Sequence, residues 1–285
     1  MLPLADQLKR PGLIMAPGVF DMVSAKIADT MGFRALYMSG FGVVASHLGL
    51  PDAGIATYSD MVGRVRQIAD GTSTPLIADG DTGYGGLLNV EHTVRGYEAA
   101  GAQAIQLEDQ EFPKKCGHTP GRRVIPIADA AQKIKVAAAT RASREFLIIA
   151  RTDARTEHGL DDALRRGEAY AQAGADMLFI ESPETVEEME RIGRSFDLPL
   201  VANMVEGGRT PALSRSDLEA IGFKVAIFPT SGLFAAAAAL RAVYGHIVEN
   251  GSSRGWGGEL FGFDDFTRLI GFERVWAFER ANASE

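Results

Sequence analysis

Eight short apolar runs, each followed by a stretch of helical character, recur along the 285-residue sequence and restrict its fold more than any other feature. Near-continuous apolar strands that alternate with amphipathic helices are typical of a parallel sheet covered by helices, and eight such units predict a (β/α)8 TIM barrel. The alternative is an open doubly wound sheet, but no GxGxxG lies between the first strand and helix. The predicted strands are 13–17, 35–39, 75–79, 104–108, 146–151, 177–181, 199–204 and 225–229.

Helix ends and the absence of a linker support one barrel domain over residues 1–285. We expect Asn89 as an N-cap, and Gly101, Gly174 and Gly251 where three helices end. The C-terminal segment 260–278 carries too much large apolar surface to remain in water. It either folds over its own barrel or docks on another subunit.

Composition excludes several classes of protein. One cysteine permits no internal disulfide, and the N-terminal residues lack the pattern of a secretory signal, so we expect a cytoplasmic protein. No apolar stretch is expected to reach the roughly 20 residues of a membrane span. The net charge of -8 and the scattered basic residues argue against nucleic-acid binding.

Polar residues follow almost every predicted strand, at the end of a barrel where catalytic groups lie. Several carboxylates at one rim would repel each other unless a cation lies among them, and oxygen ligands favour Mg2+ or Mn2+ over zinc. Asp79 and Asp81 would share a face of a regular strand, although an Asp-rich turn explains such a pair equally well. These strand-end residues are Ser39, Gly40, Asp79, Asp81, Glu108, Asp109, Arg151, Glu181, Asn203, Thr230 and Ser231.

The single cysteine, Cys116, lies in "PKKCGHTPG" after the fourth strand, a segment too polar and glycine-rich for a helix. We therefore expect an active-site flap. Lys114, Lys115 and His118 would favour the thiolate of Cys116, whereas a lone cysteine in a strand or helix is more often simply buried. A Cys-His nucleophile pair is conceivable, but no orienting acid is evident.

Five motifs in order, "ADGDTGYGG", "LEDQEFPKKCGH", "IIARTDAR", "LVANMVEGGRTP" and "FPTSG", resemble the isocitrate lyase and phosphoenolpyruvate mutase superfamily. The branch that is most similar contains 2-methylisocitrate lyases, 2,3-dimethylmalate lyases and carboxyphosphonoenolpyruvate mutases. The resemblance implies a (β/α)8 barrel whose eighth helix is exchanged between subunits, usually in a homotetramer built as a dimer of dimers. Residues 232–285 would then dock on a neighbouring subunit.

The resemblance also implies a Mg2+ (or Mn2+) site and a site for a small organic acid. Asp81 would bind the metal directly, Asp79 and Glu108 would hold it largely through water, and Asp52 would lie nearby. The positions that match substrate-contacting residues are Ser39, Gly40, Phe41, Arg151, Glu181 and Asn203.

The implied reaction is Mg2+-dependent cleavage of a carbon-carbon bond in a 2-hydroxy di- or tricarboxylate. Cys116 would act as the acid, Lys114 and His118 would stabilise the enolate that leaves, and either Tyr37 or Glu181 would act as the base. The products would be a 2-oxo acid such as pyruvate and a carboxylate.

Phe234 stands where methylisocitrate lyases tend to have an arginine, which implies a substrate with one carboxylate fewer, such as a 2-alkylmalate or dimethylmalate. Three alternatives stay open. The same site suits an oxaloacetate hydrolase or decarboxylase, and it suits a carboxyphosphonoenolpyruvate phosphonomutase. A non-catalytic metabolite-binding barrel has least support, since a scaffold needs none of these catalytic groups.

Overall fold

The computed structural model describes residues 1–117, 119 and 121–283, which form two compact units, residues 1–233 and 234–285. The first unit contains eight parallel strands in the order β6-β5-β4-β3-β2-β1-β8-β7. An isolated parallel bridge from Leu178 to Leu200 joins the two ends of that order, so the sheet closes into the predicted barrel. The strands are β1 (Ile14–Val19), β2 (Leu36–Met38), β3 (Leu76–Asp79), β4 (Ala104–Glu108), β5 (Leu147–Thr152), β6 (Met177–Ile180), β7 (Val201–Asn203) and β8 (Val225–Phe228).

All eight predicted strands are confirmed: β4 has the predicted ends, and the ends of the other strands differ by no more than two residues. The register is set by parallel pairs such as Gly18 with Tyr37 and Glu108 with Arg151. The helices are α1 (Leu4–Lys9), α2 (Met22–Thr30), α3 (Gly40–Val43), α4 (Tyr58–Gly71), α5 (Leu87–Ala99), α6 (Ile127–Thr140), α7 (Arg155–His158), α8 (Leu160–Gln172), α9 (Val186–Ser195), α10 (Arg215–Ile221), α11 (Ser231–Asn250), α12 (Phe263–Leu269) and α13 (Phe272–Asn282).

The helix ends follow the sequence signals with one exception. Gly101, Gly174 and Gly251 have φ values of 95°, 103° and 65°, which suit the left-handed residue after a helix. Asn89 is not the N-cap, because α5 begins two residues earlier with Gly86 as its cap. The Asn89 side chain instead accepts a hydrogen bond from the Gly86 backbone N at 3.1 Å.

Two apolar layers hold the barrel together. The inner cluster contains the inward side chains of the strands, such as Ile14, Ile77, Ile149 and Val225, and a larger cluster lies between the strands and the helices. Leu4 of α1 belongs to the inner cluster and is fully buried, so α1 closes the amino-terminal end of the barrel. The opposite end, where the strands stop, is left for the polar residues.

The second unit consists of the rest of α11 after residue 233, with α12 and α13, and none of these helices contains a buried residue. Val248 and Phe263 are 84% and 83% exposed. By length and composition alone α11 is apolar enough to cross a membrane, so the expectation that no stretch reaches that length was wrong. The run of alanines at 235–239 raises its mean hydropathy, and a single helix of this kind is weak evidence for a span.

Candidate active site

The turn after β2 brings backbone directly against an acidic side chain. Ser39 caps the short helix α3, because its Oγ accepts a hydrogen bond from Gly42 N at 3.2 Å. A Cβ on Gly40 would lie 2.6 Å from Oδ2 of Asp79, so only glycine fits at this position. Phe41 follows in α3 and is partly buried. The backbone at Gly40 therefore lies directly against the Asp79 carboxylate at the end of β3.

Asp79 and Asp81 come together, although not through a shared strand face. β3 ends at Asp79, and Asp81 has a left-handed φ of 47°. Its backbone N donates to Oδ1 of Asp79 at 3.1 Å. Tyr37 donates its hydroxyl proton towards Asp79 Oδ2 at 3.4 Å and Gln106 Oε1 at 3.2 Å, and Gln106 Nε2 lies 3.4 Å from Asp79 Oδ1. Asp79 is thus held by neutral donors.

Lys114 of the flap lies between two acidic side chains. Its Nζ is 2.6 Å from Asp52 Oδ1 and 2.6 Å from Asp81 Oδ1, and the Lys114 side chain is only 3% exposed. Lys115, by contrast, is exposed, and its Nζ donates to Gly121 O at 3.0 Å. The two adjacent lysines therefore have different environments, which the sequence could not separate.

Arg151 at the end of β5 is surrounded by acids. Its Nε and Nη2 donate to Asp153 at 2.9 Å each, and its guanidinium lies 3.6 Å from Glu108 and 3.4 Å from Glu181. The guanidinium also stacks over the ring of Phe179, 5.1 Å from its centroid. This buried arginine is oriented before any ligand binds.

Glu181 and Asn203 form the far side of the site. Asn203 Nδ2 donates to Glu181 Oε2 at 3.0 Å, and Glu181 Oε1 accepts from the backbone N of Ser182 at 2.7 Å. Ser182 Oγ donates to the carbonyl of Gly117 at 3.2 Å, and a Cβ on Gly117 would lie 2.2 Å from Arg151 Nη2. The flap is thus packed onto β5 and β6.

Cys116 lies between these two anchors of the flap. The residue is partly buried, and its backbone N donates to Asp52 O at 3.2 Å. The flap has no helix or strand over residues 111–117, as expected. His118, predicted to act beside Cys116, lies outside the described residues.

Two strand ends carry groups that bond to structural partners, and one of them, Asp109, also accepts from the backbone N of Asp153 at 2.9 Å. Asp109 accepts hydrogen bonds from Tyr170 at 2.7 Å and Arg166 at 3.1 Å, both on α8, so it fixes a helix to the barrel. Thr230 Oγ1 donates to Glu206 at 3.1 Å, and Ser231 donates to the same carboxylate. These three strand-end residues have structural partners.

Burial changes the protonation of the site. Burial raises the pKa of Asp81 to about 7 and, with Asp79, raises the pKa of Tyr37 well above its ordinary value. Burial also raises the pKa of Glu108, although Arg151 opposes this. Burial would lower the pKa of Lys114, but Asp81, Glu108 and Asp52 raise it well above the usual range, so the ammonium stays charged.

The residues fit a hard divalent cation in their chemistry. Asp79, Asp81 and Glu108 supply only oxygen donors, and the buried Oε1 of Glu108 has no hydrogen-bond partner within residues 1–117, 119 and 121–283. In that same part of the chain, no three His, Cys, Asp or Glu side chains are already gathered around one point, and Lys114 pairs with Asp81.

Sequence reasoning missed three polar residues. Asp153 is fully buried and joins Arg151 to Arg122, whose Nη1 lies 2.5 Å from Asp153 Oδ1. Asp153 was visible in "IIARTDAR", but nothing local shows that Arg122 is buried. Gln106 interrupts the apolar strand β4, which is a signal for an inward polar contact.

Comparisons with known proteins agree with this geometry. A family model described as phosphoenolpyruvate phosphomutase matches residues 4–248. The chain is 45% identical to the 2,3-dimethylmalate lyase of Eubacterium barkeri over 95% of this chain and 94% of that protein. Its fold matches oxaloacetate acetylhydrolase in complex with 3,3-difluorooxalacetate, with a TM-score of 0.93, 33% identity and coverage of 99% and 97%.

A second solved structure bears on the metal. Phosphonopyruvate hydrolase in complex with oxalate and Mg++ matches with a TM-score of 0.89, 34% identity and coverage of 99% of this chain and 98% of that one. The family match, which spans most of the chain, agrees with the resemblance of the five motifs. The chain belongs to the phosphoenolpyruvate phosphomutase family and is an enzyme of the PEP mutase/isocitrate lyase superfamily.

Proposed function

We propose that the chain is a Mg2+-dependent lyase that cleaves a carbon-carbon bond in a 2-hydroxy dicarboxylate, of the 2-alkylmalate or dimethylmalate type, to a 2-oxo acid such as pyruvate and a carboxylate. The observation that carries this proposal is the position of the flap: Lys114 reaches Asp81, just after β3, while Gly117 packs on Arg151. Cys116 lies between them. The identity with 2,3-dimethylmalate lyase over nearly the whole chain supports the substrate class.

Binding and orientation come from the barrel rim. Arg151, fixed by Asp153, and the turn at Ser39–Phe41 would hold the carboxylate next to the hydroxyl carbon. Asp81, Asp79 and Glu108 would hold Mg2+, which supplies Lewis-acid polarisation of the 2-hydroxyl and the developing 2-oxo group. Closure of the flap by Gly117 on Arg151 excludes water from the reacting carbons.

The raised pKa of Tyr37 separates the two candidates for the base. Tyr37 keeps its proton at neutral pH and donates it to Asp79 and Gln106, which suits a positioning role. Glu181, close to Arg151 and Asn203, is therefore proposed to take the hydroxyl proton. The electron pair of the broken carbon-carbon bond then forms the enolate of the leaving carboxylate. Cys116 protonates that carbon, and its thiolate regains a proton before the next turnover.

The activity assay also includes alternative substrates for the same site. The structural likeness to oxaloacetate acetylhydrolase favours oxaloacetate as a second candidate, and the carboxyphosphonoenolpyruvate phosphonomutase and methylisocitrate reactions complete the panel. Pyruvate, glyoxylate and oxalate release and phosphorus NMR would be followed with Mg2+. We expect 2-oxo acid release from a 2-alkylmalate that falls at least about 100-fold in Cys116→Ser and is unchanged in Lys115→Met.

Release of oxalate alone, or phosphorus transfer alone, would replace the lyase assignment. Full activity of Cys116→Ser would remove Cys116 from the acid role. Tight organic-acid binding without turnover of any member of the panel would indicate the non-catalytic barrel.

The association of subunits is proposed from a different observation, the exposed apolar side chains near the C-terminus. Residues 232–285 carry apolar side chains that are largely exposed within their unit, including Phe278 at 68%. We propose that they dock on a neighbouring subunit in a homotetramer of a cytoplasmic enzyme. Light scattering of the parent chain and of Phe263→Ser should show the tetramer weakened in the variant, and a monomer in both would contradict this.

A further inference from the structure

The ammonium group of Lys114 occupies a position that a bound cation would take. It contacts Asp52 and Asp81 at 2.6 Å each and is almost completely buried. We infer that Lys114 is an internal counter-cation, which neutralises the acidic rim when no metal is bound and is displaced from Asp81 when a divalent cation binds. This inference rests on the metal site of the proposed function and adds a role for the flap lysine before catalysis.

The neighbouring charges leave Lys114 as the cation for this pair of acids. Arg151 is already engaged by Asp153, Glu108 and Glu181. Within the part of the chain that the structure describes, Lys114 is the cation that contacts Asp52 and Asp81. Two buried carboxylates without a counter-charge would be strongly unfavourable, so the lysine stabilises the metal-free rim.

A metal and Lys114 compete for the same oxygen. Mg2+ binds carboxylate oxygens at about 2.0–2.1 Å, so a metal on Asp81 Oδ1 would lie within about 5 Å of an ammonium that stayed in place. Like charges at that separation repel, and burial weakens the screening by water. Metal binding therefore favours departure of Lys114 from Asp81.

The displaced lysine belongs to the flap, which gives the competition a consequence. Lys114 lies two residues before Cys116, whose backbone is also bonded to the Asp52 segment. Release of the ammonium from Asp81 makes its charge available to an anionic ligand. The flap thus has one anchor that depends on whether the metal is present.

Lys114→Met tests the inference, with Lys115→Met as the matched control because that neighbouring lysine is exposed. Mn2+ is the probe, and its free concentration is measured by electron paramagnetic resonance. We expect Lys114→Met to bind Mn2+ at least tenfold more tightly than the parent protein and Lys115→Met to match the parent. Thermal unfolding after EDTA dialysis should show Lys114→Met less stable than the parent, with the difference reduced by Mn2+.

If the parent protein binds Mn2+ and Lys114→Met binds it equally or more weakly, this inference is overturned and the metal site stands. Mn2+ binding to neither protein would overturn the metal site as well. If Lys114→Met fails to fold without metal, acylation of the lysines of the parent protein tests the displacement of Lys114 instead. The ratio of Lys114 to Lys115 modification, read by mass spectrometry, should rise several-fold with Mn2+, and an unchanged ratio contradicts displacement.

Discussion

Replacement of Asp153 by asparagine is the perturbation that probes the charge network of the rim most directly. Asp153 is fully buried and accepts from Arg122 at 2.5 Å and from Arg151 at 2.9 Å through both Nε and Nη2. The substitution keeps the shape of the side chain but removes its charge and turns an NH2 group towards a guanidinium. Arg122 then loses the carboxylate with which it forms an ion pair among the described residues, and its other side-chain partners are the hydroxyls of Thr156 and Ser182.

The expected magnitude follows from the loss of one partner in a buried ion pair, which costs about 3–5 kcal/mol of unfolding free energy. For a chain of this length, 1 kcal/mol corresponds to about 2 °C in Tm. Asp153→Asn should therefore unfold about 6–10 °C below the parent protein at pH 7 in a calorimetric scan.

The pH dependence of the stability lost in Asp153→Asn supplies a second, independent test. Burial alone would raise the pKa of Asp153, but Arg151 and Arg122 together lower it below its ordinary value. A depressed folded pKa contributes stability that is present above the unfolded pKa and is lost as pH falls through the folded pKa. The deficit of Asp153→Asn should therefore be constant from about pH 8 to pH 5 and should narrow below about pH 4.

Glu190→Gln is the control, because Glu190 forms an exposed i,i+4 pair with Arg194 at 3.4 Å. That pair should contribute no more than about 0.5 kcal/mol. A Tm of Asp153→Asn within about 2 °C of the parent at pH 7, or a deficit that is unchanged at about pH 3, would refute the reasoning.

Three further predictions concern the site. Gly40→Ala should weaken Mn2+ binding at least about tenfold, because its Cβ would lie 2.6 Å from the Asp79 carboxylate. Gly63→Ala in α4 is the control, because no atom lies within 4 Å of the Cβ that it adds. It should leave Mn2+ binding unchanged and stabilise the protein by about 0.5–1 kcal/mol. Equal Mn2+ affinity in Gly40→Ala and Gly63→Ala would contradict the packing argument. Gly117→Ala should lower kcat/KM at least about tenfold with little change in Tm, since the Cβ would strike Arg151 when the flap closes, at 2.2 Å from Nη2. Unchanged kinetics would show that the closed flap is not needed. Oxalate, used as a dianion, should bind in calorimetry only when Mg2+ is present, and metal-independent binding would contradict the charge balance of the rim.

The barrel could be predicted from sequence because its signal is local. Each strand is a short apolar run, and apolar side chains on both faces of a strand indicate a parallel sheet buried on both sides. The polar strand ends then follow from topology, since parallel strands end at the same rim. This is why Glu108, Arg151 and Glu181 could be predicted to be neighbours.

The contacts that could not be predicted from the sequence depend on geometry beyond a single segment. Asp81 faces Asp79 through a left-handed turn and not through strand alternation. Asp109 follows Glu108 in sequence but is bonded to α8. Arg122 sits in a loop whose composition resembles any exposed turn, and only the folded chain shows that its guanidinium is buried beside Asp153.

Charge balance at the rim links the flap, the metal and the substrate. Acids outnumber cations there, since Lys114, Arg122 and Arg151 face the carboxylates of Asp52, Asp79, Asp81, Glu108, Asp153 and Glu181. An anionic substrate approaching this surplus of negative charge is repelled, and a divalent cation would reduce the surplus from three charges to one. Arg151 cannot do this alone because three acids already share its charge. Under the proposed function, the metal would therefore bind before the organic acid, and release of Lys114 from Asp81 would make its charge available to the incoming anion.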